Sequence, residues 1–209
     1  YYLGAELNVK EAKEIYPDYI CRFYCAQDVP NLEVLKKLDC EVIVPDLDSP
    51  PVFWRFLACD DPDVDICLQR DCDSIVNPRE KAAVDDWLSS GKSLHLMHDC
   101  KIGHFHKVMA GMWGIINKSR LNFELELNKF FSKKNYSPVD QNQATSDWGS
   151  GSAVYFDDQL FLEDVVFNFF KNDYIEHGDE TPFPKHDPIK YGSFVGDRVF
   201  ASELLNSTS

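Results

Sequence analysis

Short apolar runs and stripes of helical period take turns along the first hundred residues. Tyr19 to Cys25, Glu41 to Val44, the apolar run starting at Val64, and Ser93 to Met97 have the length and the aromatic or β-branched content of strands. Between them, Asn31 to Leu38, Val52 to Ala58 and Pro78 to Ser90 read as helices. The third is the best marked. Pro78 suits a first turn, Ala82, Ala83, Val84, Trp87 and Leu88 make an apolar stripe, and Gly91 supplies a stop. This rhythm predicts an α/β domain, a largely parallel sheet with helices on both faces. Residues 1–16 read two ways, because Leu3, Ala5, Leu7 and Val9 alternate as a strand would while Lys10 to Tyr16 is helical in period.

Beyond Asp99 the pattern loosens. Asp99 to Gly114, with Gly103 and the Ala110-Gly111-Met112-Trp113-Gly114 run, is expected to be a functional loop. Leu121 to Phe131 reads as an amphipathic helix, Ser132 to Ser152 as a polar loop, and Phe156 to Phe169 as a helix opened by Asp157-Asp158. The Pro- and Gly-rich stretch from Gly178 to Gly196 is expected to wrap the surface. No internal repeat is present, so residues 1–205 are expected to form one domain, with 206–209 starting a linker toward further domains of a longer chain.

The chain's chemistry gathers where the run Val64-Asp65-Ile66-Cys67-Leu68-Gln69-Arg70 ends in Asp71-Cys72-Asp73. A strand there delivers its carboxyl end to the rim of the sheet, where open α/β folds bind ligands. If the backbone stays extended, Asp71 and Asp73 project to one side and can share a hard divalent cation, Mn²⁺ or Mg²⁺. A solvated acidic turn is the competing reading in a chain with 35 acidic residues. Placement favours function, because Asn77-Pro78-Arg79-Glu80 opens a helix directly afterwards.

Composition narrows the partners. The 209 residues carry a net charge of −14, which repels nucleic acid and anionic membrane surfaces, so a phosphorylated ligand would need a bridging metal. No run reaches the length of a membrane span, and no secretory leader is visible. The seven cysteines, at 21, 25, 40, 59, 67, 72 and 100, show no C-x-x-C spacing and read as reduced thiols, which points to the cytoplasm. Three glycosylation sequons, at Asn117, Asn135 and Asn206, pull the other way and weigh less, being of the number chance supplies.

Asp71 and Asp73 admit two reaction classes. In a sugar-nucleotide transferase they hold the cation that neutralises a departing diphosphate. In a haloacid-dehalogenase type phosphatase the first is the nucleophile and the second the acid/base, with Asp157-Asp158 as a later acidic pair. A third, non-enzymatic reading is a carbohydrate-binding module. His95, His98, Asp99, His104 and His106 form a second constellation without the spacing of a known metal site, so His95 reads as a strand residue. Asp99 ends a strand of the same pattern as the one ending at Asp71.

The string Arg70-Asp71-Cys72-Asp73-Ser74, Pro78-Arg79-Glu80-Lys81-Ala82-Ala83-Val84, Trp87-Leu88, His95-x-Met97-x-Asp99 and Gly111-Met112-Trp113-Gly114 resembles the GT-A fold glycosyltransferases, above all the glycosyltransferase domain encoded by chlorella viruses. The likeness extends to Tyr16-Pro17, Trp54-Arg55-Phe56, Asp158-Gln159, Pro182-Phe183-Pro184 and Phe194-Val195-Gly196. More distantly the order is similar to family 8 glycosyltransferases. The resemblance implies a UDP-sugar donor, a glycan acceptor, in a viral setting a capsid glycan built in the host cytoplasm, and retention of anomeric configuration. It implies a metal held by Asp71, Asp73 and His177, with His186 as runner-up for the histidine. It further implies donor contacts from Arg55, Arg70, Asp71, Asp73, Asp99, Gly111 and Trp113, and catalytic roles for Asp158, Gln159 and Asp99. Trp148-Gly149 is a candidate acceptor platform. In the resembling proteins a base-binding strand precedes the first helix, so either that strand lies upstream of Tyr1 or Tyr1 to Leu7 takes its place.

Overall fold

The computed structural model describes residues 2–46, 49–99, 106–117, 121–134, 157–178 and 195–196. Cys100, Gly103, His104, Trp148-Gly149, Pro182 to Pro184, His186, Phe194 and the expected linker 206–209 lie outside the described residues.

The chain begins with one helix, α1 (Tyr2–Ile15), so the ambiguous opening is not a strand. Its buried residues Gly4, Ala5, Asn8, Val9, Glu11 and Ala12 recur with helical period, and that burial decided against the short alternation of Leu3 to Val9. There follow β1 (Arg22–Tyr24), α2 (Leu32–Leu35), β2 (Glu41–Ile43) and a 3₁₀ helix (Pro51–Cys59). Next come β3 (Ile66–Arg70), α3 (Pro78–Ser90), β4 (Leu94–Met97) and β5 (Met112–Ile116). The rest is α4 (Phe123–Lys134), α5 (Asp157–Phe161) running through a π-helical stretch (Leu162–Phe167) into α6 (Asn168–Phe170), and β6 (Tyr174–His177).

The architecture is mixed α/β. β1 and β2 form a parallel pair, and the other strands form a sheet in the order β3-β5-β4-β6. β4 and β6 are parallel, but β5 runs antiparallel to both its neighbours, β3 and β4. The expectation of a largely parallel sheet is corrected here. Asp99 to Gly114 was expected to be loop, yet its last three residues open β5, a strand almost wholly buried that carries the near-continuous apolar pattern of a central strand. Since β5 reverses direction, β3, β4 and β6 all point their carboxyl ends to the edge where β5 begins. That edge carries the site.

Side-chain alternation divides the sheet's two faces. On one, Cys67, Leu94, Leu96, Trp113 and Ile115 join Phe53, Phe56, Phe123, Phe130, Phe161 and Leu162 in the main core. Rings interlock there, with Phe56 centred 5.2 Å from Phe161 and 6.1 Å from both Trp113 and Phe123. On the other face α3 lays Ala83, Val84 and Trp87 against Ile66, Leu68, Met97, Met112, Ile116 and Ile175. α3 begins where its sequence says. The Asn77 side chain accepts a hydrogen bond from the Glu80 amide at 2.9 Å, Pro78 fills the first turn, and Gly91 takes the left-handed conformation, φ 70°, that ends it.

A buried pair of histidines lies under α3 and connects to Asp86 on that helix's exposed side. His95 stacks on Trp87 with ring centroids 5.2 Å apart, and its Nε2 lies 2.8 Å from His177 Nδ1. His177 Nε2 lies 3.1 Å from Asp86 Oδ2. A carboxylate only accepts, so Nε2 of neutral His177 carries the proton and its Nδ1 receives one from His95. Burial pushes both imidazoles below their ordinary pKa, the neighbouring ring adding to the effect at His95 and Asp86 opposing it at His177.

Candidate active site

Asp71 follows the last residue of β3 on the main-core face, and its side chain remains 47% exposed at the sheet edge. Its backbone does not stay extended. The Asp71 carbonyl accepts from the Ser74 amide at 3.4 Å and from the Ser74 hydroxyl at 3.2 Å, closing Asp71-Cys72-Asp73-Ser74 into a turn. The extended geometry expected for Asp71 and Asp73 is therefore corrected, and both residues sit half-buried within this turn. Helix α1 fixes the turn from behind. Asn8 Nδ2 donates to the Ser74 carbonyl at 2.8 Å, and Asn8 Oδ1 accepts from the Val76 amide at 3.0 Å.

Arg55, on the 3₁₀ helix, reaches the same place. Its Nη1 donates to Asp71 Oδ1 at 3.1 Å and to the Ala110 carbonyl at 3.0 Å. That carbonyl also accepts from Trp113 Nε1 at 3.1 Å, while the Ala110 amide donates to Gln159 Oε1 at 3.0 Å. Both ends of the Ala110 residue are thereby held, and Gly111 is pressed on the Asp71 carboxylate. A Cβ at Gly111 would overlap Asp71 Oδ2 and lie 2.9 Å from Oδ1. Glycine is required here by proximity, not by backbone angle.

Asp158, in the first turn of α5, is 5% exposed. Burial pushes its carboxyl up to about 6, with Arg55 opposing the shift and Asp71 adding to it. Because the folded value lies above the ordinary one, the native state holds this proton more tightly than the unfolded chain. Its stabilising effect is complete below the ordinary carboxyl range and is lost as pH rises through about 6. Asp158→Asn is accordingly expected to raise the thermal midpoint at pH 7.5, with a gain of up to about 3 kcal/mol from roughly two pKa units. Melting both proteins from pH 4 to 8 checks it, and the gap should close toward pH 4.

Asp99 also lies at this edge, but it is engaged. Its oxygens accept from Arg79 Nε at 2.7 Å and Nη2 at 2.9 Å, and Oδ2 accepts from the Val195 amide at 3.1 Å. It anchors Val195, which packs with Ala83, Met97 and Met112. Arg79 was missed as a partner because it is twenty positions from Asp99 in sequence, and only the fold joins them.

Three other expected site residues are not brought together with Asp71. Arg70 has the opposite parity in β3, so it lies on the α3 face, where Nε donates to Glu80 Oε1 at 2.7 Å and Nη1 to the Trp113 carbonyl at 2.9 Å. Glu80 also accepts from Tyr16 at 2.8 Å. His177 is on that face too, bound to His95 and Asp86. Trp113 is fully buried in the main core and acts on the site through its hydrogen bond to Ala110.

A second polar cluster flanks the edge. Glu176 accepts from Lys107 Nζ at 2.7 Å, and His98 Nδ1 lies 3.2 Å from its other oxygen. His98 first and then Lys107 hold the Glu176 carboxyl down at about 2. Burial, with Lys107, works against charge on His98, but Glu176 and the His106 carbonyl outweigh them and raise its pKa. Glu163, in the π-helical stretch, accepts from the Lys107 amide at 2.9 Å. Together they tether residues 106–110 as that segment approaches Asp71.

Among the described residues, no group of three or more His, Cys, Asp or Glu side chains is gathered to hold an ion. A cation of the Mg²⁺ type takes one or two carboxylates and completes its shell with ligand phosphates and water, so the half-exposed Asp71 could supply one ligand. No described helix is long and apolar enough to cross a membrane. No protein-family model, curated protein or solved structure matches this chain.

Proposed function

We propose that this chain is a divalent-metal-dependent glycosyltransferase of the GT-A type, moving a sugar from a UDP-sugar donor to a hydroxyl of a glycan acceptor. The observation that carries the proposal is the half-exposed Asp71 carboxylate at the sheet's carboxyl edge, held by Arg55, backed by Gly111 and neighboured by the buried acid Asp158. Charge is the reason. A departing nucleoside diphosphate accumulates negative charge that must be neutralised in place. In a chain with net charge −14 a bound cation is the economical source of that charge.

Asp71 and Asp73 would hold Mn²⁺ or Mg²⁺, which when bound supplies Lewis-acid neutralisation of the diphosphate. Arg55 then has two tasks. It orients Asp71, and with the carboxylate drawn to the cation its guanidinium is available to a phosphate oxygen. Gly111 lets backbone approach the donor without a side chain between them. We assign Asp158 and Gln159, on the helix that faces Asp71, the position beside the transferred sugar, with retention of its configuration, on the resemblance to family 8 glycosyltransferases alone.

The test is donor turnover. With Mn²⁺ and a panel of nucleotide sugars, the protein is expected to release UDP from one of them, and Asp71→Asn to reduce that release by at least about a hundredfold. Release that persists in Asp71→Asn, or phosphate cleaved from a simple ester with no nucleotide turnover, would overturn the reading.

A further inference from the structure

Cys59 is the last residue of the 3₁₀ helix that carries Arg55, and Cys67 belongs to the strand that leads into Asp71. Both are buried in the main core, and their sulfurs lie 3.6 Å apart. They are the hydrogen-bonded sulfur pair among the described residues. The Cys59 thiol donates to Cys67 Sγ, and Gln69 Nε2 donates to the same sulfur at 3.0 Å. Two donors converging on one sulfur favour its thiolate. The shifts agree with the geometry, since the bond from Cys59 draws the Cys67 thiol down while burial pushes Cys59 up. Gln69 Nε2 also donates to the Arg55 carbonyl at 3.0 Å, so the sulfur pair and the Arg55 backbone share one amide.

We propose that Cys59 and Cys67 are a redox modification site, at which a small peroxide converts the thiol pair into a disulfide that fastens the helix bearing Arg55 to the strand leading into Asp71. Chemistry and packing divide the roles. Cys67, as thiolate, attacks a peroxide oxygen, breaking the O–O bond to give a sulfenic acid and hydroxide, which takes up a proton and leaves as water. Cys59 then gives up its proton and attacks the sulfenic sulfur, forming the S–S bond as the sulfenic oxygen leaves as a second water. Two thiols and one hydrogen peroxide become one disulfide and two waters. Closing the bond requires roughly 1.5 Å of approach between the sulfurs. Burial limits access to small oxidants and excludes bulky disulfides. Residues 60–66 close a short loop, so the cross-link removes freedom chiefly from the unfolded chain.

The experiment uses the native protein. It is treated with hydrogen peroxide, then denatured, alkylated and mapped by mass spectrometry beside an untreated control. The expected product is two hydrogens lighter, joins the Cys59 and Cys67 peptides, reverts with a phosphine reductant and melts several degrees higher. Cys59→Ser should yield no such cross-link. Recovery of both cysteines as alkylated thiols while the more accessible Cys25 and Cys40 have oxidised would overturn the proposal. So would oxidation of Cys67 to the sulfinic acid without capture by Cys59. Neither outcome depends on the variant folding.

Discussion

Gly4→Ala is expected to lower the thermal midpoint by about 10 °C, despite replacing glycine by the best helix former inside a helix. Propensity alone would add up to about 1 kcal/mol. Space decides the opposite. A Cβ at Gly4 would overlap the Cys72 carbonyl oxygen and lie 2.9 Å from the carbonyl carbon, and both are backbone atoms that cannot rotate away. Either α1 must lift from the turn or the turn must move, and each displacement breaks the bonds from Asn8 to Ser74 and Val76. Overpacking against rigid backbone costs about 3 kcal/mol or more, which for a chain of this size is on the order of 10 °C. Calorimetric melting of the variant checks it. A midpoint equal to or above the wild type would show that α1 does not press on the Asp71-Asp73 turn.

Gly111→Ala is expected to do the reverse, sparing the fold and disabling the site. The added methyl would occupy the position of the Asp71 carboxylate, which is the end of a half-exposed side chain and can swing aside at little cost. The midpoint should change by no more than about 2 °C, because one side chain turning toward solvent relieves the overlap and no backbone has to move. Affinity for Mn²⁺ with nucleotide should fall by about 10- to 100-fold, the range found when a metal ligand loses its support. The pair of glycine variants separates the two jobs of this turn. One glycine holds it to the scaffold and the other gives its carboxylate room.

Local signals carried much of this fold, and their failures have a common cause. Helix α3 was legible to its ends because Asn77, Pro78 and Gly91 act on backbone only a few residues away. The Asp71 placement was legible because an apolar run followed by a capped helix identifies a strand's carboxyl end. β5 was not legible, because Gly111 and Gly114 imitate a loop and their reason for being glycine lies elsewhere in space. Gly111 faces Asp71, and a Cβ at Gly114 would lie 2.8 Å from Leu68 and 3.0 Å from Trp87. β6 was hidden for a different reason. Only four residues long, with Glu176 and His177 in it, it carries no apolar period.

Within the site, motif likeness could name residues but not faces. Arg70 adjoins Asp71 in sequence and therefore points to the opposite side of the sheet, where it pairs with Glu80, which also accepts from Tyr16. His177 ends β6 at the right edge and on the wrong face, tied to His95 and Asp86. Asp99 arrives at the right edge but is taken up by Arg79 and Val195. Arg55, Gly111, Asp158 and Gln159 do converge with Asp71, from four segments far apart in the chain.

We propose that this convergence is a metal-dependent nucleotide site. Calorimetric titration of UDP into the protein, with Mn²⁺ and again with a chelator, measures it directly. Binding is expected with Mn²⁺, none with the chelator, and none in Asp71→Asn with Mn²⁺ present. UDP binding that is indifferent to Mn²⁺ and to Asp71, or no binding of UDP under either condition, would contradict it.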